Sequence, residues 1–243
     1  MHGIASEVPS RLDWELDLRE SWTSPDLVVA QTCGWPLITH LAAGPEPLVR
    51  VVGAFEPMVE GAEGHRYRSV LVAREHRDIG GFAGTRAAVN SADSLSGWVS
   101  LLAATAGSEG TWNGPVIWTG AHLESVRAVH EQRAEVASID SVSWAHIRRW
   151  FPELADELVE VGFGPLVPTL PVITRGSASD ELLAALRTAL IGAFDDPSAR
   201  SAMSEALMGA FVPLDLDAYA PLLNLMPPSG VDQASRASGV LPR

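Results

Sequence analysis

An α/β fold follows from the middle of the chain, where short apolar runs alternate with helical segments. Residues 87–90, 115–119 and 136–139 read as strands, and residues 94–105 and 122–133 read as the helices between them. A β-α-β-α-β order with helices of this length implies a parallel sheet joined by right-handed crossovers. Each predicted strand also ends in polar residues: Asn90-Ser91-Ala92-Asp93-Ser94-Leu95-Ser96-Gly97, then Thr119-Gly120-Ala121-His122, then Asp140. Open parallel sheets bind ligands beyond the carboxyl ends of their strands, so these turns are the first place to look for a site.

Taken in order, residues 1–24 carry Trp14, Trp22 and scattered charges and read as irregular, with one short helix near 17–22. Residues 27–30 form a continuous apolar run between Pro25 and Gln31-Thr32-Cys33-Gly34, the pattern of a buried parallel strand followed by a ligand-facing loop. Residues 48–55 and 68–73 are Val-rich strands. The Gly-rich stretch 79–85 reads as a crossover into a second lobe, and 162–171, rich in proline and glycine, as the return. Between them, 142–150 is helical and Pro152 suits the first position of a further helix. Residues 182–194, 198–211 and 216–223 are Ala- and Leu-rich helices, with Asp215 or Asp217 available as a cap. The expected division is 1–78 for the first lobe, 79–165 for the second, 166–226 for the return, and a disordered tail over 227–243.

Composition removes whole classes of function. All 17 basic residues are arginine, so Schiff-base chemistry and a P-loop lysine are excluded. A net charge of −13 with no basic run longer than Arg148-Arg149 argues against nucleic acid as a partner. No run of about 18 apolar residues occurs, so no membrane insertion is expected. The single cysteine, Cys33, cannot form an intramolecular disulfide, and the histidines lack H-x-x-x-H spacing, so no metal and no cofactor is expected.

The Asn90–Gly97 turn is the most informative motif. The first N–H groups of a helix lack intrahelical partners and carry the positive end of the macrodipole; Ser94 and Ser96 add hydroxyls, and Gly97 permits close approach. A small oxyanion suits such a turn, although serine at a helix start is most often simply an N-cap. His122 at the start of the next helix is structural or a donor beside an anion. Asp140 caps the helix after it or faces a ligand. Gln31 and Trp35 follow the first strand, with Trp35 as readily core as pocket. Cys33, His122 and Asp140 would form a thiol triad if Cys33 were a nucleophile, but a buried structural thiol fits the surrounding residues better.

The ordered set of Asn-x-x-Asp-Ser-x-Ser-Gly, Thr-Gly-x-His-x-x-Ser and Ala-x-Ile-Asp, with Tyr67-Arg68-Ser69-Val70-Leu71-Val72 and Pro168-Thr169-Leu170-Pro171-Val172, resembles the phosphate, phosphite and phosphonate substrate-binding proteins of ABC importers. The similarity runs from about residue 27 to 219. It implies a two-lobed type 2 periplasmic-binding-protein fold with mainly parallel sheets and a ligand cleft between the lobes. It further implies that Ser94, Leu95, Ser96 and Gly97 hold a small oxyanion, and that Thr119 and His122 add donors. Tyr67 would close the pocket from the first lobe, Asp140 would read the ligand's tail, and Gln31 and Trp35 would line the cleft. An ABC permease is the implied protein partner, and no bond is made or broken. Two alternatives stay open on this fold: a cytoplasmic enzyme of the thiamine-precursor or menaquinone-pathway type, and a ligand sensor.

Met1–Glu7 lacks a positive n-region and an apolar h-region, so the chain as written is expected to be cytoplasmic. The resembled family begins with a strand and a helix ahead of the segment matching 25–31. A periplasmic or extracytoplasmic location follows if the N-terminus is truncated, and a cytoplasmic offshoot if it is not.

Overall fold

Two sheets and a narrow ribbon between them organise the molecule, in a computed structural model that describes residues 18–105 and 112–225. The expectations for residues 1–17 and for the tail from Pro227 lie outside these.

The first sheet has four strands, in the order β1 (Ala30–Gln31), β10 (Pro171–Arg175), β2 (Val49–Pro57) and β11 (Met208–Pro213). Every pairing in it is antiparallel. Val52, Val172 and Phe211 face Leu183 of α7 (Asp180–Gly192), with Phe55, Leu186 and Phe194 packed around them. Ser179 starts α7 by accepting the N–H of Leu182, and Asp196 caps α8 (Pro197–Glu205) in the same way.

The second sheet has five strands, in the order β6 (Val116–Trp118), β5 (Ala87–Val89), β7 (Val136–Asp140), β4 (Ser69–Ala73) and β8 (Val159–Phe163). Strand β5 runs parallel to β6 and β7, while β4 runs antiparallel to both of its neighbours. Val126 and Val129 of α4 (His122–His130), together with Trp144 and Ile147 of α5 (Ser141–Trp150), cover one face through Val70, Val72, Ala88, Ala137 and Ile139. Leu101 and Leu102 of α3 (Ser100–Thr105) join Leu71, Val89 and Val136 of the other face in a cluster that continues through Trp35, Leu37, Val51, Ile173, Tyr219 and Leu222 of the first lobe. Burying such aliphatic side chains stabilises by roughly 1.5–3 kcal/mol each, so this shared core resists separation of the lobes where it is continuous.

The chain passes between the sheets through β3 (Arg66–Tyr67) and β9 (Val167–Pro168), which pair antiparallel as a two-stranded ribbon. Thr169 ties the ribbon to the first sheet by donating its hydroxyl to Phe55 O, and the Tyr219 hydroxyl donates to Thr169 O.

Several expectations need correction. The β-α-β-α-β unit stands, but parallel pairing is confined to β5, β6 and β7. Residues 27–30 are not a buried parallel strand: only Ala30–Gln31 pairs, antiparallel to β10, and Val28 and Val29 are exposed. An apolar run gives neither the direction nor the identity of its neighbour, and here the neighbour lies some 140 residues away in the chain. The strand at 69–73 belongs to the second sheet, so the crossing comes at Tyr67 rather than at 79–85. The helix expected over 198–211 ends at Glu205; Leu207 turns the chain at φ 57°, and Met208–Pro213 pairs with β2. Pairing with a central strand overrides the helical propensity of that Ala-rich stretch. Residues 216–225 form two short 3₁₀ turns, and Asp215 pairs with Arg187 at 2.8 Å instead of capping.

Candidate functional site

The three polar strand ends converge, with Tyr67 from the ribbon, on one buried cluster. Ser94 precedes a helical run whose first turn, Leu95–Val99, is π-type and which continues as α3. The Ser94 side chain caps this run by accepting the Gly97 N–H at 2.9 Å, and its Oγ lies 3.5 Å from Ser96 Oγ. The Ser96 hydroxyl is 2.9 Å from His122 Nε2, at the first residue of α4. Tyr67, from the ribbon, lies beside them, close enough that Asp140 and Ser96 both act on its phenol. Asp140 ends β7 and caps α5, its Oδ1 accepting the N–H groups of Val142 and Ser143 at 2.9 Å each. Ser94, Ser96, Tyr67 and Asp140 are all buried.

Two features of the sequence make the turn this tight. A Cβ on residue 97 would overlap Asn90 Oδ1, so any larger residue there must displace the Asn90 side chain. Ser138 on β7 donates to Ser96 O at 2.6 Å, pinning the turn onto the sheet.

The electrostatics follow from burial. Desolvation pushes the Tyr67 phenol well above its ordinary value, and the Asp140 charge and hydrogen bond add to the shift. Desolvation pulls His122 below the usual imidazole value, with the Asp140 charge opposing it. His122 is therefore neutral at pH 7; its Nδ1 is buried without a partner. Burial likewise raises the Cys33 thiol, against two backbone hydrogen bonds that lower it. A thiol held protonated is a poor nucleophile, so the Cys33–His122–Asp140 reading loses its chemical basis.

Ser94, Ser96, Gly97, His122, Tyr67 and Asp140 thus come together, and the side chains of the other expected residues lie elsewhere. The Thr119 hydroxyl is turned onto its own turn, 2.6 Å from Ser125 Oγ and bonded to Val89 O and Ala121 O. Leu95 is core, and its N–H goes to Cys33 Sγ at 3.3 Å. Gln31 is exposed on β1, with its carbonyl accepting from Trp22 Nε1. Trp35 packs in the core and lines a cavity of about 600 Å³ together with Ile38, His40, Asp93 and Leu223. Two residues that shape the turn had no expected role in it. Asn90 walls Gly97, and Cys33 accepts from Leu95; the Asn-x-x-Asp-Ser spacing was the one available signal for the first.

The two-sheet architecture with a crossing ribbon is that of type 2 periplasmic binding proteins. Its solved relatives include PhnD1 of Prochlorococcus marinus in complex with methylphosphonate, at 12% identity and a TM-score of 0.68, covering 91% of this chain and 82% of that one. A binding protein component of an ABC phosphonate transporter from Pseudomonas aeruginosa matches at 16% identity and a TM-score of 0.69, covering 91% and 72%. The periplasmic aliphatic sulphonate binding protein of Escherichia coli matches at 15% identity and a TM-score of 0.55, covering 91% and 76%. None of the curated protein sequences matches this chain. The family model for the periplasmic substrate-binding protein of phosphonate ABC transporters matches residues 26–219, and the chain belongs to that family. It is accordingly a substrate-binding component rather than an enzyme. Among the described residues, no helix is long and apolar enough to cross a membrane.

Proposed function

We propose that this protein binds a small phosphorus oxyanion, of the phosphate, phosphite or phosphonate class, between its two lobes and presents it to an ABC permease. The observation that carries this reading is the contiguous set Ser94–Ser96–His122–Tyr67–Asp140, assembled from three strand ends and the crossing ribbon. Ser96 and Tyr67 each carry one O–H and a neutral imidazole donates through one nitrogen only, so each can supply a single donor to an oxyanion. The Leu95 N–H rests on a thiol sulfur, a weak acceptor that an oxyanion outcompetes.

Because Tyr67 sits on the β3–β9 ribbon and the serines on the second lobe, entry of a ligand requires the lobes to part about that ribbon, and closure buries the ligand. A thermal-shift panel of phosphate, phosphite, methylphosphonate, 2-aminoethylphosphonate, sulfate and thiamine pyrimidines tests the reading. A rise in Tm with one or more phosphorus oxyanions supports it, since a ligand that binds only the native state stabilises by mass action. A rise confined to the thiamine pyrimidines contradicts it.

A further inference from the structure

The stretch Asp93-Ser94-Leu95 follows β5 of the second sheet, yet three contacts hold it to elements of the first lobe. Asp93 Oδ2 accepts Arg19 Nη2 of α1 (Leu18–Trp22) at 3.2 Å. The Leu95 N–H donates to Cys33 Sγ, in the loop after β1, at 3.3 Å. The Leu95 side chain rests against Gly34, where a Cβ would come within 3.1 Å of Leu95 Cδ2 and 2.9 Å of Leu222 Cδ1. Helix α1 is itself fastened to the first lobe, because Trp22 Nε1 donates to Gln31 O at 2.9 Å and the Trp22 ring packs on the shared core.

These contacts cross the seam that has to open before a ligand can reach Ser94 and Ser96. None of them is strong. A thiol sulfur is a weak acceptor, and the Arg19 and Asp93 side chains are 50% and 31% exposed, at a cavity that Trp35, His40 and Leu223 also line. An exposed ion pair shifts an equilibrium by only about 1.5- to 5-fold, which lets the seam give way while each lobe stays folded. Asp93 Oδ1 accepts the Ser91 hydroxyl at 2.8 Å, so the hold of Arg19 is passed to the turn that carries Ser94.

We propose that Asp93–Leu95 is a latch: α1 and the loop after β1 clasp the oxyanion turn across the seam, and the Arg19–Asp93 pair sets how often the lobes part. This rests on the oxyanion reading above for what the parting admits; its test needs no ligand. Cys33, the one cysteine of the chain, reports on the seam directly. Its thiol is kept protonated by burial and lies against the Leu95 N–H, and thiols alkylate as thiolates, so rapid reaction requires the seam to open. The labelling rate then follows the open population.

The experiment is iodoacetamide labelling of the intact protein, followed by mass spectrometry, in the wild type, Arg19→Gln, Asp93→Asn and the double variant. Each single variant is expected to label about two- to fivefold faster than the wild type. The double variant is expected to label no faster than the faster single, because the pair is already broken in each. Equal rates in all four proteins overturn the latch, and so do effects that multiply in the double variant, since the two charges then act separately. A wild-type rate that rises in urea with the full m-value of unfolding also overturns it, because the thiol would then be reached only through unfolding. Saturating methylphosphonate is expected to slow labelling of the wild type. If no phosphorus oxyanion slows it while the charge variants still speed it, the latch stands and the functional reading fails.

Discussion

Tyr67→Phe removes one oxygen from the centre of the site and nothing else. The hydroxyl it deletes lies beside the Asp140 carboxylate and Ser96, on a residue that is 3% exposed. A hydrogen bond to a charged group is worth about 1.5–3 kcal/mol, and leaving the buried carboxylate one donor short works in the same direction. Unfolding free energy in urea should therefore fall by about 1.5–3 kcal/mol with an unchanged m-value, since the surface buried is the same. If ligand entry turns the single Tyr67 proton from Asp140 to the oxyanion, its removal should also weaken methylphosphonate binding by about tenfold or more, tenfold being about 1.4 kcal/mol. Chemical denaturation and calorimetric titration on one preparation separate the two effects. Unchanged stability would mean that the hydroxyl does not engage Asp140. Lower stability with unchanged affinity would reduce Tyr67 to a structural strut at the ribbon.

Three further outcomes follow from the same geometry. The two tyrosines, Tyr67 and Tyr219, both have raised pKa values when folded. Their contribution to stability is complete below the unfolded value of about 10 and is lost as pH rises above it; phenolate absorbance should appear together with loss of circular dichroism, and an earlier separate titration would contradict the burial. His122 has a depressed folded pKa, so its contribution is present above the unfolded value of about 6.5 and lost as pH falls below it; His122→Gln should flatten the stability slope on the acid side of 6.5, and an unchanged slope would mean the imidazole is not desolvated. Gly97→Ala should destabilise by about 1–3 kcal/mol through overlap with Asn90 Oδ1, and Asn90→Ala in the same chain should recover much of that loss, measured by urea denaturation; additive losses would exclude the contact.

The second sheet was legible because its signals are local. Short apolar runs, hydroxyl-bearing turns and a helix after each run identify β5, β6 and β7, and the same turns put Ser94, Ser96, His122 and Asp140 at strand ends. The first sheet was not, because its partners are remote: β2 joins strands from positions 171–175 and 208–213, and nothing in residues 198–211 weighs that pairing against an Ala-rich helix. The same limit moved the crossing point, since 69–73 reads as a strand in either sheet. Within the site, residue type alone could not tell a hydroxyl turned inward from one turned onto its own backbone. Ser96 and Thr119 look alike in the sequence, yet Ser96 faces His122 and Thr119 is consumed by Ser125. Nor could it find the two N–H groups of the turn already taken, that of Gly97 by Ser94 and that of Leu95 by Cys33.

The central claim is that the Ser94–Ser96 turn holds a phosphorus oxyanion, and calorimetric titration of Ser94→Ala combined with Ser96→Ala tests it most directly. Two hydrogen bonds to a charged ligand, at about 1.5–3 kcal/mol each, predict a loss of at least 100-fold in methylphosphonate affinity. The cap lost at Ser94 should lower stability by only about 1 kcal/mol, leaving a folded protein to titrate. A folded double variant that binds methylphosphonate as tightly as the wild type would contradict the account.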